Sequence, residues 1–250
     1  MSITQLILLI LVFFSTSVIG VVTGSNSLIA VPVMFQFGVT PKVAVATNMF
    51  ALVFMSVGGT IPFIRKRTID YRRVLPLLVI TVLGSAVGAL LVGLITDQGI
   101  KLIVSVAMIA VAVFILVKRD RGVSAESAVS GRSMAITFVL TYLLAVYGGL
   151  FSGGYVTMLT AVLVAFFGMR FSESVASTKL INVVSSSVAT AVFMWQGLVN
   201  YRLGIILGVT MFVGAYVGAH YAAKMNDIWL KRIFLATVFL LALKTLYDFI

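Results

Sequence analysis

One lysine, Lys179, stands alone in an apolar segment that runs from Ser174 to Trp195. The other residues of this segment are apolar or small and polar, and crossing a bilayer takes about 20 residues of this kind. An ammonium group at membrane depth costs ~3 kcal/mol or more, so such a residue usually faces a protein interior or a water path and marks a substrate route. Lys179 therefore predicts an anion-binding site inside the membrane.

Two runs of small and polar residues predict where the backbone of this site unwinds. They are TGSNS at 23–27 and SGG at 152–154, and each is followed by a short apolar piece. An unwound helix leaves free backbone N–H and C=O groups, and the next helix N-terminus presents partly positive N–H groups to an anion. The two breaks are interpreted as an anion cradle near the membrane midplane. The predicted substrate-binding residues are Ser25, Asn26, Ser27, Thr47, Asn48, Ser152, Gly153, Gly154, Tyr155, Thr178, Lys179 and Asn182.

Each of these residues also has a purely structural interpretation. A threonine such as Thr47 or Thr178 often bonds the carbonyl four residues earlier in its own helix. Asn48 and Asn182 could bond neighbouring helices instead of a solute. An ion pair with Glu173 would explain Lys179, but a spacing of six residues puts the two on different helix faces. The sequence leaves these alternatives open.

The elements that position these residues are apolar helices. The chain of 250 residues is 61% hydrophobic and 10% charged, with a mean hydropathy of +1.18, which is more apolar surface than a soluble core of this size could bury. The apolar runs are too long and too weakly alternating for barrel strands. Long helices are predicted at about 3–22, 42–64, 72–95, 100–117, 133–150, 174–196, 202–223 and 230–248, with short pieces at about 28–38 and 155–168.

The chain reads as two homologous halves. The motif GSAVGA at 84–89 resembles GAYVGA at 214–219, DYR at 70–72 resembles NYR at 200–202, and ATN at 46–48 resembles STK at 177–179. These matches are spaced by 130 or 131 residues. The predicted organisation is a first transmembrane repeat at 1–118, a cytoplasmic linker at 119–132 and a second repeat at 133–250. The fold class is an all-α polytopic membrane protein.

Basic residues favour opposite orientations for the two repeats. The loop at 65–73 carries five of them and its counterpart only Arg202, whereas Lys101 stands alone in the next loop and its counterpart at 224–232 carries three. Cytoplasmic loops are rich in Lys and Arg, so reciprocal bias is expected of an inverted duplication. A parallel duplication with four passes in each half remains the alternative. In the inverted arrangement each half has a broken or re-entrant helix, and both chain termini lie outside the cytoplasm.

The chain resembles the TauE/SafE family of membrane proteins over nearly its whole length. In the first half the resemblance rests on FGVTPKVAVATN at 37–48, and in the second on ESVASTKLIN at 173–182 and GLVNY at 197–201. The family implies export or uptake of sulfite, sulfonates and related organosulfur anions. Family members often have glycines where this chain has Ser25, Asn26 and Ser27.

The sequence predicts a secondary transporter of a small anion, sulfite, a sulfonate or a carboxylate, that works by alternating access between two repeats. An exporter in the cell membrane is the expected form, with the lipid bilayer as its surroundings. A non-transporting membrane partner or sensor subunit is the alternative. An intramembrane enzyme is disfavoured because the chain has no cysteine and one histidine, and no cofactor, metal or nucleic acid is expected. Whether the chain acts alone or as a homodimer stays open.

Overall fold

The computed structural model describes residues 2–24, 26–66, 68–117 and 131–224, together with residues 229 and 232. Within these ranges the regular elements are nine α-helices. They are α1 (Ile3–Thr23), α2 (Asn26–Gln36), α3 (Pro41–Arg65), α4 (Tyr71–Leu94), α5 (Asp97–Val117), α6 (Gly131–Leu150), α7 (Tyr155–Ala165), α8 (Phe171–Trp195) and α9 (Tyr201–Ala222). Six of them, α1, α3, α4, α6, α8 and α9, are long and apolar enough to cross a membrane. The chain is therefore an all-α, multi-pass membrane protein, as predicted.

The predicted helix bounds agree with the structure to within a few residues, and both short apolar pieces are separate helices, α2 and α7. Three predictions fall outside the described residues. They concern Ser25, the linker at 118–130 and most of the helix predicted at 230–248.

Local chemistry explains where several helices begin. Helix α3 begins with Pro41, whose missing N–H costs nothing at the first helical position. The Asp70 side chain accepts hydrogen bonds from the backbone N–H groups of Arg72 and Arg73 and so caps α4. The Asn200 side chain caps α9 in the same way, by accepting from the N–H of Leu203.

The helices pack as two bundles, each of which borrows one helix from the other half of the chain. The first bundle contains α1, α2, α3 and α9, and the second contains α4, α6, α7 and α8. The bundles meet where α3 packs against α8, and α5 lies on α3. A half of the sequence is therefore not a separate packing unit.

Glycines allow the borrowed helices to approach closely, which confirms the packing role predicted for the two glycine motifs. A side chain at Gly88 on α4 would collide with the Val146 carbonyl on α6, and one at Gly218 on α9 would collide with the Val18 carbonyl on α1. Only a glycine leaves room for these backbones.

The exposed surface between the helix ends is apolar, as lipid contact requires. Leu75 and Leu83 on α4 are 62% and 61% exposed, and Ile205 and Val209 on α9 are more than half exposed. An apolar surface of this extent on a monomer is typical of a protein that lies in a membrane.

The bundle has two ends, which we name after an arginine at each. At the Arg202 end, Ser2 and the turn at 37–40 lie beside the start of α9. At the Arg73 end, the start of α4 lies beside the turn between α7 and α8, and the Lys66 ammonium donates to the Ala223 carbonyl at 2.6 Å.

Helix starts recur 130 residues apart in the two halves. Helices α3 and α8 begin at positions 41 and 171, and α4 and α9 begin at 71 and 201. Two glycines with positive φ, Gly24 and Gly38, have counterparts at the same spacing in Gly154 and Gly168. This spacing pairs Lys179 with position 49, one residue away from the pairing that the sequence motif at 46–48 suggests.

Candidate functional site

Helices α1 and α2 form a hairpin with its tip inside the bundle. Gly24 ends α1 in the left-handed conformation, with φ 69°, and its N–H donates to the Gly20 carbonyl at 2.7 Å. The chain then turns back, and Asn26 at the start of α2 bonds the side chains of Thr16 and Ser17 on α1. Helix α2 therefore runs back toward the end of the bundle from which α1 started.

Helices α6 and α7 form the corresponding hairpin from the other end. Gly154, with φ 78°, precedes α7. The hydroxyl of Ser133, near the start of α6, donates to the Phe166 carbonyl just after α7, at 2.6 Å. Helix α7 thus returns to the Arg73 end, while α2 returns to the Arg202 end.

The tips of the two hairpins touch. The Gly154 N–H donates to the Gly24 carbonyl at 3.4 Å, and the Thr157 hydroxyl donates to the Thr23 carbonyl. The hydroxyls of Ser27 and Ser152, one from each tip, lie 2.7 Å apart. Residues more than 120 positions apart in sequence are joined here by three polar contacts.

A small polar cavity lies beside the joined tips. Its volume is about 10 Å³, room for about one water molecule. The helices α3 and α8 close it from the sides. It is lined by Gly20, Gly24, Asn26, Ser27, Leu52, Met55, Ser152, Val156, Lys179 and Asn182.

Lys179 supplies the charge of this cavity. Its side chain is 3% exposed, and no hydrogen bond or ion pair joins it to any residue that the structure describes. Glu173, the ion-pair partner considered from the sequence, lies beside Arg73 instead, at 3.4 Å. The ammonium therefore faces a polar cavity without an anionic partner among the described residues.

Three asparagine side chains surround the lysine site. Asn26 donates to the Ser17 hydroxyl at 3.1 Å and accepts from Thr16 at 3.0 Å. Asn182 donates to the Ser56 hydroxyl at 2.6 Å. Asn26 and Asn182 both line the cavity, so their amides are held in place by neighbouring helices while they face it.

The third asparagine, Asn48, reaches the cavity through Ser27. Its amide nitrogen donates to the Ser27 hydroxyl at 2.9 Å. Its side-chain oxygen is buried without a hydrogen-bond partner. A buried amide oxygen that lacks a partner is costly, so it is well placed to accept from a bound molecule or water.

Several predicted site residues lie away from the cavity. The Thr47 hydroxyl accepts from the Asn200 N–H at 3.0 Å, toward the Arg202 end. The Thr178 hydroxyl donates to the Val175 carbonyl in its own helix and lies 3.2 Å from Thr160. The Tyr155 ring packs on Gly148, and its hydroxyl faces Thr81 and Ser185. Gly153 stands in the hairpin tip, where its carbonyl accepts from the Tyr147 hydroxyl.

The sequence analysis missed three side chains that build the site. Ser17 and Ser56 hold the two cavity asparagines, and Met55 lines the wall with its sulfur 3.2 Å from the Asn26 amide nitrogen. A signal for Ser17 was present, because residues 15–17 are three successive hydroxyl side chains inside an otherwise apolar helix. Met55 carries no such signal.

Known proteins resemble this chain along most of its length. The family described as sulfite exporter TauE/SafE matches residues 8–245. Probable membrane transporter protein ORF9 of Sinorhizobium sp is 27% identical, over 94% of this chain and 90% of that protein. A probable membrane transporter protein of Haemophilus influenzae is 24% identical, over 97% of this chain and 95% of its own length. YunE of Bacillus subtilis, also described as a probable membrane transporter protein, is 22% identical over 86% of this chain and 84% of its own length. No solved structure matches.

Proposed function

The chain belongs to the TauE/SafE family, and from this premise we propose that it is a secondary transporter that exports a small anion, sulfite or an organosulfonate. The observation that carries the proposal is the Lys179 ammonium, buried at the joined hairpin tips with no partner among the described residues. A buried charge without a partner destabilises the empty protein. An anion that enters the cavity would supply the missing partner, so binding and charge compensation would be the same event.

We assign the binding role to the residues that line this cavity. Lys179 provides the charge, Asn26 and Asn182 provide amide donors, and the paired hydroxyls of Ser27 and Ser152 provide donors from both hairpins. Hydrogen bonds to a charged group are about twice as strong as those between neutral groups. Asn48, Gly153 and Gly154 act behind this shell by shaping the tips.

The two halves are proposed to be inverted repeats, at 1–118 and 133–250, each with a re-entrant hairpin. The hairpin of α1 and α2 returns to the Arg202 end, and the hairpin of α6 and α7 returns to the Arg73 end. Two copies in opposite orientations would produce this opposite entry. The recurrence of helix starts at 130-residue spacing supports the same duplication.

The Arg73 end is proposed to face the cytoplasm. Arg65, Lys66, Arg72 and Arg170 all lie in the short connections at this end, whereas the connections at the other end carry Lys42 and Arg202. Short cytoplasmic loops collect Lys and Arg. In this orientation the linker at 119–132 is cytoplasmic, and the N-terminus lies outside.

Transport requires the cavity to open, because a space for about one water molecule is too small for sulfite. We propose that the first bundle (α1, α2, α3 and α9) moves against the second (α4, α6, α7 and α8). The sequence suggested that one repeat moves against the other, but each bundle contains a helix of both halves. The contacts between Ser27 and Ser152 and between Gly24 and Gly154 cross the boundary and would have to break.

Sulfite flux in liposomes that contain only this protein tests the proposed function. Liposomes loaded with sulfite should release it faster with the protein than without it, and an opposing membrane potential should change the rate because a charge moves. If sulfite and short organosulfonates bind but none crosses the bilayer, the chain is a non-transporting partner or sensor. If none binds, the anion site itself is wrong.

A further inference from the structure

A second, larger cavity opens at the Arg202 end, away from the lysine site. Its volume is about 570 Å³, within the range of small-molecule binding pockets. It is bounded by the start of α1, the turn between α2 and α3, and the start of α9. The described residues that line it are Ser2, Ile3, Leu6, Phe37, Gly38, Val39, Thr40, Val43, Asn200, Arg202, Leu203 and Ile206.

The equivalent positions at the opposite end of the molecule make a closed contact. Counting 130 residues back from Leu203 gives Arg73, and this arginine lies 4.8 Å from the centre of the Phe167 ring and 3.4 Å from Glu173. Its guanidinium also donates to the Phe167 carbonyl. The Arg73 side chain therefore joins α4 to the turn before α8.

The same three positions surround open space at the Arg202 end. Leu203, Phe37 and Val43 are the counterparts of Arg73, Phe167 and Glu173, and all three line the 570 Å³ cavity. An aliphatic side chain replaces the arginine and another replaces the carboxylate, so no charge pair draws the walls together. The cavity is thus a local difference between two otherwise similar ends.

The lining of this cavity combines one positive charge with an extensive apolar wall. Arg202 is the charged residue among the described residues that line it, and no carboxylate stands there to neutralise it. No hydrogen bond or ion pair joins Arg202 to another described residue. A guanidinium binds carboxylate and sulfonate groups through two parallel N–H donors.

We propose that this cavity is a peripheral binding site for an organic anion with an apolar tail, such as an alkanesulfonate or alkanecarboxylate. Arg202 binds the acid group, the Asn200 and Thr40 side chains lie beside it, and the apolar wall buries the tail. The site commits to a small free anion because the cavity cannot hold the two acyl chains of a phospholipid. Inorganic sulfite, which has no tail, gains little from this wall.

The peripheral site lies at the start of a chain of contacts that leads to the central cavity. The Asn200 N–H bonds the Thr47 hydroxyl, and the next residue, Asn48, bonds Ser27 beside Lys179. A role as the mouth of the transport route rests on the proposed function. Binding at the peripheral site does not, so the two can fail separately.

Calorimetric titration of the full-length protein in lipid nanodiscs tests the site, with 1-hexanesulfonate as the probe and empty nanodiscs as the blank. Wild-type protein should bind hexanesulfonate at least tenfold more tightly than methanesulfonate, and should not bind hexyltrimethylammonium. Arg202→Gln should weaken hexanesulfonate binding at least tenfold, whereas Lys101→Gln, an exposed basic residue at the same end, should leave it unchanged. Equal binding by wild type and Arg202→Gln would overturn the proposal.

A second variant tests the comparison with the opposite end. Val43→Glu combined with Leu203→Arg transplants the Arg73 and Glu173 pair and should fill the cavity, which abolishes hexanesulfonate binding without loss of folded protein. Lys179→Met should retain it, and its loss there would place the probe in the central cavity and contradict the proposal. If anionic lipid in the nanodiscs blocks hexanesulfonate and lipid-free protein carries bound lipid, the occupant is a lipid and the proposal is wrong.

Discussion

The two halves of the chain share their framework and differ in the side chains that carry charge or polarity. Gly24 and Gly154 turn the two hairpin tips with nearly the same backbone angle. Asn26 at the first tip has an apolar counterpart, Val156, and both line the central cavity. Lys179 on α8 has Met49 as its counterpart on α3, where it is 1% exposed.

This difference teaches that the framework and the chemistry of the site come from different residues. A fully symmetric centre with a lysine from each half would bring two buried ammonium groups together, and like charges at short range disfavour each other. One lysine opposite one methionine avoids that repulsion. We therefore expect substitutions at shared positions to affect folding, and substitutions at unshared positions to affect binding.

The largest effect is expected at a shared tip glycine. Gly24→Ala forces a left-handed backbone on alanine, which costs about 1–2 kcal/mol, and its side chain would lie 2.5 Å from Val156 and 2.9 Å from the Thr157 nitrogen. Little folded protein should be recovered from membranes. Gly38→Ala is the matched control, because its φ is 81° and nothing lies within 4 Å of the added carbon. Similar melting temperatures for both variants would show that the tips are not tightly packed.

The next effect concerns the unshared tip residue. Asn26→Val gives the first tip the side chain of the second and removes an amide donor from the cavity. Thr16 and Ser17 keep their bonds to the carbonyls of Val12 and Phe13, so melting should change little. Sulfite affinity measured by titration should fall about tenfold, as expected for one hydrogen bond to a charged group. Unchanged affinity would remove Asn26 from the binding shell.

A smaller effect is expected at the Arg73 end. Arg73→Leu installs the residue found at position 203 and removes the ion pair, whose partners are 32% and 21% exposed. The loss of stability should not exceed about 1 kcal/mol, because partly exposed pairs are screened by solvent.

The same change should loosen that end of the molecule. A cysteine placed at Ser174, which is buried, would be the only one in the chain. A membrane-impermeant maleimide should label it several-fold faster in the Arg73→Leu background than in the wild-type background. Equal labelling rates would mean that the arginine does not hold this end closed.

The smallest effect is expected at Thr178, directly before the lysine. Its hydroxyl bonds the Val175 carbonyl and Thr160, not the cavity. Thr178→Val should leave sulfite affinity within twofold of wild type and lower stability by about 1 kcal/mol, the usual contribution of such a bond. A large loss of affinity would show that the cavity extends further along α8 than its lining indicates.

The helices could be predicted from the sequence because their signals are local. Apolar length sets the long spans, and small-residue breaks such as 23–27 separate α2 and α7 from their neighbours. Lys179 could be predicted for the same reason, since a lysine in an apolar segment is unusual wherever the segment lies. Asn26, Ser27, Ser152 and Asn182 were also predicted and line the cavity.

The remaining site could not be predicted because it depends on helix rotation and on contacts between distant residues. Thr47 and Thr178 stand next to Asn48 and Lys179 in sequence, yet their hydroxyls face other partners because one residue turns a helix by about 100°. The exchange of α4 and α9 between the bundles depends on close packing at glycines, which a sequence motif suggests without naming the partner helix.

Flux of sulfite through liposomes that contain Lys179→Met tests the central claim most directly. Methionine keeps the length of the apolar stem, matches Met49 in the other half and removes the charge, so the fold should be retained and melting should be equal to or higher than that of wild type. We expect no flux above empty liposomes, full flux from the Thr178→Val control, and partial flux from Lys179→Arg because a planar guanidinium fits the space of an ammonium poorly. Flux at the wild-type rate through Lys179→Met would contradict the account, because the buried ammonium would then not be the anion site.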